Sequence, residues 1–556
     1  MLFRAGNGFT LVLALVLLAA AVCVAFALAI PTLGVAAQRD AESDRALAQA
    51  REALIAYAAE RPINTAVGPG YLPCPDLDDD GWAESTCGSL NGDIGQEQRL
   101  GRLPWKTLGL PDLRDGYGER LWYAVSTRHK GLLNCAGSRA CVDMSPDSAI
   151  GTITVRDPSG LVVHDGTSTD LYAVDRGGAL AVVIAPGPRI TRLAAGSGQA
   201  SAEQLRECGP LECDPYGKCL LEPPSRVAKC HPANFLDKAP EGRHAGEDNA
   251  DFVDRSDAAG RARNTNGFIQ GPIRDSEGSI AVNDRVAVIA YRDVMPRVMR
   301  RVAVEVAQCL VYYAARPEND GRYPTPAPAC RQDMADTAIA WSDGDSVVFG
   351  RVPDTPFTHT RVASGGRMLE RWWRHEPRSP ENLAELPTRD TACRIAFEPL
   401  DEGPTRISAP GTPSDEGLTA GLAGNAWWTY WKPFVFYAIA PSYRAGSSAT
   451  RCDGSYPCIE IHEADDSVTA TGKSFAVIVA GAPLDLRGFP QRHGSGLADV
   501  RHWLELSNAA LENANPNPAA PQCAADPSRL PCGGQCLRVT QAARSALFND
   551  AVASHP

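Results

Sequence analysis

The chain has 556 residues, enough for three or four domains of roughly 150 residues each. Its 44% hydrophobic and 22% charged residues suit a chain that buries cores, which excludes wholesale disorder. A net charge of −12 excludes broad electrostatic attraction to nucleic acid or anionic lipid. Residues 1–8 form a short polar leader with one basic side chain, Arg4. Residues 9–30 are an apolar run broken only by Thr10, and at about 1.5 Å per residue its length matches a bilayer core. From 38 to 60, charges alternate with Leu47, Ala50, Leu54, Tyr57 and Ala58 at helical spacing. The pattern predicts one long helix with a membrane-embedded half at 9–30 and an amphipathic half at 31–60, kinked at Pro31. Ala27-Leu28-Ala29 also fits ordinary signal-peptidase cleavage, and a plain uncut anchor is a further alternative. All three readings place the body outside the cytoplasm.

Gly8-Phe9-Thr10-Leu11-Val12, behind a basic leader, resembles the class III signal of type IV pilins and type II secretion pseudopilins. The resemblance implies that a prepilin peptidase cuts between Gly8 and Phe9 and methylates Phe9. It implies an anchor containing Phe9, Leu11, Leu13, Leu17, Ile30 and Pro31, packed among sister subunits. It further implies an α+β fold: a long transmembrane-plus-amphipathic helix on an antiparallel sheet. The chain would cross the bacterial inner membrane once, N-terminus cytoplasmic and body periplasmic. The family usually carries a glutamate four residues after the mature N-terminus, where this chain has Leu13. A buried carboxylate without a partner is costly, so Leu13 favours a minor or tip subunit with no neighbour to neutralise.

Next along the chain, Asp76, Asp78 and Asp80 precede Gly81 in a D-x-D-x-D-G pattern. Alternating carboxylates converge on a hard cation, while the glycine permits the sharp turn. Trp82 would add a backbone carbonyl and Glu84 a direct or water-mediated ligand. Cys87 stands where a bidentate glutamate is expected, and a Cys74–Cys87 bridge would close the loop instead. Calcium binding competes with a solvated acidic turn; the resemblance favours Ca2+, since several pseudopilins hold it in a loop. The turn-rich connector at 103–118 reads as a structural loop.

The chain also repeats itself in order. Leu54-Ile55-Ala56-Tyr57-Ala58-Ala59 recurs as Leu310-Val311-Tyr312-Tyr313-Ala314-Ala315, and Trp122-Tyr123-Ala124 as Phe436-Tyr437-Ala438. Ala181-Val182-Val183-Ile184 aligns with Ala476-Val477-Ile478-Val479. A C-x5-C follows each central strand, at Cys135/Cys141 and Cys452/Cys458. The second helix carries Val298, Val302, Val306 and Leu310 on one face, with Asp293 as N-cap, Pro296 in the first turn and three arginines that exclude a membrane span. The expected organisation is a leader (1–8), a helix in two halves (9–30, 31–60), a first pilin-like unit (61–238) and a linker (239–285). A second, degenerate unit (286–505) and a cysteine-containing tail (506–556) complete it.

Of 17 cysteines, 16 lie outside the apolar run, mostly in local clusters, which is the habit of an oxidising compartment. Candidate pairs are Cys74/Cys87, Cys135/Cys141, Cys309/Cys330 and Cys452/Cys458. No C-x-x-C, G-x-S-x-G or H-E-x-x-H occurs, and Gly472-Lys473-Ser474 lacks the upstream glycine of a P-loop. The chain therefore reads as a non-catalytic structural subunit, a minor or tip component of a type IV pilus or type II secretion-like fibre. Its expected partners are the inner membrane, other pilin or pseudopilin subunits and the prepilin peptidase, with no nucleic acid. The alternative is a membrane-tethered periplasmic protein that binds calcium, glycan or protein and does not polymerise; a hydrolase with a dispersed site is a third reading.

Overall fold

The computed structural model describes residues 7–60, 69–193, 202–208, 230–315, 321–352, 431–511 and 537–556, less gaps of which 88–98, 131–144 and 327–347 are the longest. Helix α1 spans Asn7–Glu60, with side chains described at 14–19 and 34–60. Among the described residues no helix is long and apolar enough to cross a membrane. From residue 34 onward α1 carries Arg39, Asp40, Glu42, Asp44, Arg45, Arg51 and Glu52. This corrects the expected membrane-spanning half, the single-pass inner-membrane location and the membrane attributes drawn from them. The fold class is corrected with it: the chain is a mixed α/β protein made mostly of sheet, not a pilin-like fold on a transmembrane helix. Of the predicted anchor residues, Leu17 is exposed, and the side chains of Phe9, Leu11, Leu13, Ile30 and Pro31 lie outside the described residues; Gly8 is the second residue of α1.

Two four-stranded antiparallel sheets form the frame. The first contains β1 (Leu100–Arg102), β2 (Trp122–Val125), β5 (Ala181–Ala185) and β7 (Arg285–Ile289), in the order β1-β2-β5-β7. The second contains β8 (Phe349–Arg351), β9 (Val435–Ile439), β12 (Phe475–Val479) and β14 (Ala551–His555), in the order β8-β9-β12-β14. Their registers coincide. The row Gly101, Tyr123, Val183, Ala287 in the first sheet matches Gly350, Tyr437, Val477, Ala553 in the second. The next row reads Arg102, Trp122, Ile184, Val286 and Arg351, Phe436, Ile478, Val552. The apolar strands therefore align as Val183 with Val477 and Ile184 with Ile478, one residue away from the match read in the sequence. Since side chains alternate faces, that one-residue shift exchanges core and far face for the whole strand.

Each sheet carries a three-stranded ribbon with the same pairing. β3 (Val155–Arg156) pairs antiparallel with β4 (Val162–His164) and parallel with β6 (Phe268–Ile269). β10 (Ile459–His462) pairs antiparallel with β11 (Val468–Lys473) and parallel with β13 (Leu537–Thr540). Strand pairing thus draws the unit boundaries differently from the composition. β7, which but for Arg285 falls within the expected second unit, closes the first sheet, and β14 closes the second from within the expected tail.

Helix α1 packs on β5 and β7 through Leu47, Ala50, Leu54 and Ala58, while α2 (Tyr291–Ala314) packs on β12 and β14 with Val298, Val302, Val306 and Leu310 buried. Asp293 lies in the first turn, and its carboxylate accepts the Ala290 N–H at 2.8 Å. Both helices end alike: the Gly70 N–H caps the Ala58 carbonyl (2.7 Å) and the Gly321 N–H the Ala314 carbonyl (3.1 Å). The helices touch each other, with Arg51 to Asp293 and Arg297 to Glu52 both at 2.6 Å. Asp147–His493 (2.7 Å) and Asp175–Arg544 (3.0 Å) join the units elsewhere. The Arg–carboxylate pairs are partly exposed and contribute at most about 1 kcal/mol each; the shared apolar core dominates. Leu54→Ala and Leu310→Ala are each expected to lower unfolding stability by about 2–5 kcal/mol in urea titrations. A loss below about 0.5 kcal/mol would show that the helix is not seated on its sheet.

Candidate metal centre

The acidic loop is fastened to the first sheet at β1. The Asp76 N–H donates to the Arg102 carbonyl (3.0 Å), and the Arg102 N–H returns a bond to Asp76 (2.8 Å). Gly101 permits this crossing: a Cβ there would sit 2.7 Å from the Asp76 carbonyl oxygen and 2.9 Å from Pro75 and Leu77. The loop turns through Asp79 (φ 62°) and Gly81 (φ 90°), where a side chain on Gly81 would also strike the Trp105 ring. A Cys74–Cys87 disulfide closes it across a separation of 13 residues, which by loop entropy contributes about 3 kcal/mol.

Inside the loop, the carboxylates of Asp76, Asp78 and Glu84 bring oxygen atoms within 4.8 Å of one another. An all-oxygen set of three carboxylates suits a hard divalent cation rather than a soft metal. Asp76 is buried, and its two oxygens accept the N–H groups of Gly81 (2.7 Å) and Asp80 (3.2 Å). Burial, with Asp78 and Asp79 nearby, pushes its carboxyl up to about 7 despite those donors. Asp78 accepts the Asp80 N–H at 3.3 Å, and Glu84 the Leu77 N–H at 3.3 Å. Of the other predicted ligands, Asp80 stands apart. The Asp80 carboxylate caps the Trp82 N–H (2.7 Å) and is outside the group, and the Trp82 ring is exposed. The sequence pattern treats alternate positions as equivalent, but the strained turn at Asp79 swings Asp80 outward.

The connector after Leu103 supports this loop. Arg120 binds Asp79 (2.7 Å) and Asp112 (2.9 Å), and Asp115 accepts the N–H groups of Tyr117, Glu119 and Gly187. Gly116 lies on α1 at Arg39, too close for any Cβ. Among the cysteines, Cys452 is bonded to Cys458, and Cys208 to Cys230, a pair the sequence left unassigned. A grouping of Asp79 with Cys208 and Cys230 is no metal site, because those sulfurs are bonded to each other. Cys135, Cys141 and Cys330 lie outside the described residues; Cys309 is buried in α2.

Sequence reading also missed four buried acids: Asp237, Asp284, Glu505 and Asp550. The signal that finds two of them is the repeat Asn283-Asp284-Arg285-Val286-Ala287 against Asn549-Asp550-Ala551-Val552-Ala553. In calorimetric titration with calcium alone, Asp78→Asn and Glu84→Gln are each expected to weaken binding by at least about tenfold. Asp80→Asn should change it by less than about threefold, and equal losses at all three positions would contradict this geometry. No family model, curated protein or solved structure matches the chain.

Proposed function

We propose that the chain is a non-catalytic structural subunit of pilin-like or pseudopilin-like kind, a minor component of a type IV pilus or type II secretion-like fibre. The observation that carries this reading is the unequal use of α1. Residues 43–59 include the side chains that seal the first sheet, whereas 34–39 are exposed and Leu15–Leu18 are each 58–64% exposed. An apolar helix surface left in water favours association with another chain, and a sister helix of the same sequence is the occupant that the Gly8-Phe9 signal implies. The described disulfides support folding in an oxidising compartment. Two sheet-and-helix units in tandem would then present the recognition surface. Mass spectrometry after co-expression with a prepilin peptidase is the test. The reading expects a chain that begins at methylated Phe9; one that begins at Met1 or Ile30 would remove it.

A second reading, a calcium-binding protein that does not polymerise, is favoured by the Asp76, Asp78 and Glu84 cluster. A Leu17→Cys variant separates the two. Fibre assembly is expected to give disulfide-linked dimers through that exposed position, while a monomeric binding protein gives none.

A further inference from the structure

Each unit buries a pair of carboxyl groups beneath its last strand, and the two sites are wired alike. In the first, Asp237 Oδ2 accepts the N–H groups of Asn283 (2.6 Å) and Asp284 (3.1 Å) ahead of β7. Asp284 Oδ2 accepts the Asp237 N–H and Asn249 Nδ2, both at 2.8 Å. Asn249 clasps the N–H and carbonyl of Ile269 in β6 (2.8 and 2.9 Å), and Gln204 Nε2 donates to Asp237 Oδ1 (2.8 Å).

In the second unit, Glu505 Oε2 accepts the Asn549 N–H (3.1 Å), and Asp550 Oδ2 accepts the Glu505 N–H (3.3 Å) and Asn508 Nδ2 (3.0 Å). Asn508 clasps Thr540 in β13 (2.8 and 3.0 Å), and Gln491 Nε2 donates to the Leu504 carbonyl (3.2 Å). Even the asparagines agree: Asn283 Nδ2 donates to Pro188 and Asn549 Nδ2 to Ala482, both at 2.7 Å. Asp237 thus corresponds to Glu505, Asn249 to Asn508, and Asn283-Asp284 to Asn549-Asp550.

The donors do not suffice for four carboxylates. Asp284 Oδ1 is buried with no hydrogen-bond partner among the described residues, and in the second pair Glu505 and Asp550 hydrogen-bond each other, which two carboxyl groups do only when one of them carries a proton. None of the four acids forms an ion pair with Lys, Arg or His among the described residues. A buried carboxylate oxygen without a donor is costly, and a proton on the carboxyl removes both the charge and the orphan acceptor.

We propose that each pair is a proton-dependent clip, in which at least one carboxyl stays protonated near neutral pH, and that loss of this proton frees the last strand of the unit. Burial pushes Asp284 and Asp550 well above the usual carboxylate range, and it raises Glu505, and Asp237 to about 6. Arg206 opposes this at the first clip, where Lys238 and the Arg192–Asp248 pair flank the acids; His493 opposes it at the second, beside Arg501 and His502. The unfolded acids titrate near 4, so above that pH the folded chain binds more protons than the unfolded one. Stability is then highest in acid and falls as pH rises through the folded values. Only Ala290 separates β7 from α2, which places the first clip at the joint between the units.

The test is hydrogen exchange of the full chain, corrected for intrinsic rates, at about pH 5.5 and pH 8.5. Exchange in β7 and β14 is expected to be at least about tenfold faster at the higher pH, one pKa unit of linkage. Asp284→Asn should abolish the difference in β7 alone, and Asp550→Asn in β14 alone, because an amide mimics the neutral carboxyl. Asp76, also raised, is present in every variant and cancels. Equal acceleration in wild type and variants, or none in wild type, would overturn the proposal. Should the variants fail to fold, infrared spectroscopy of the wild type decides. A protonated-carboxyl carbonyl band at about pH 7 that persists in an Asp76→Asn variant supports the clips, and its absence there refutes them.

Discussion

Tyr123, Val183 and Ala287 lie in one row across the first sheet, on the face covered by α1; Tyr437, Val477 and Ala553 lie in the matching row on the face covered by α2. This burial of a helix stripe against one sheet face, made twice, is the constraint on which the rest depends. It holds the two helices side by side between the sheets and joins both units in one apolar core. It also leaves each far face to be covered by other means. In the first unit Arg102 lies between Trp122 and Phe235, 4.3 and 4.2 Å from the ring centres, and in the second Arg351 is buried with its guanidinium on the Lys432 carbonyl. A guanidinium packed on aromatic faces keeps its charge in a site where an ammonium would be poorly solvated.

The acidic loop inherits its order from this frame. Asp76 is bound to β1 through backbone bonds that exist only because Gly101 leaves room for the crossing. Arg120, Asp112 and Asp79 then tie the loop to the connector, which itself rests on α1 at Gly116. The three convergent carboxylates are therefore held by the sheet, the disulfide and the helix together. That preorganisation lowers the ordering cost a cation would otherwise meet.

Much of the repeat was legible in the residues themselves. The Tyr-Ala pair of each central strand, the Leu-x-x-x-Ala helix ends and the buried stripe of α2 all follow from hydrophobic periodicity. The weakness lay where periodicity carries no phase. A run such as Ala-Val-Val-Ile-Ala fits its counterpart in two registers, and only hydrogen bonding to β2 and β7 chose between them. Compositional boundaries failed for a related reason. β7 runs straight into α2 and so reads with the second unit, and β14 is short and preceded by polar residues and so reads as tail, although each completes a sheet.

The amino-acid sequence by itself determined the elements with a local cause: the amphipathic helix stripes, the glycine-dependent turn at Gly81, the acidic loop and its closing disulfide. Tertiary structure decided what depends on distant partners. It brought Asp237 to Asp284 and Glu505 to Asp550, separated Asp80 from Asp76 and Asp78, and paired Cys208 with Cys230. The physical reason is common to all of these. Burial and electrostatics depend on what is near in space, and a chain of this length places near neighbours hundreds of positions apart.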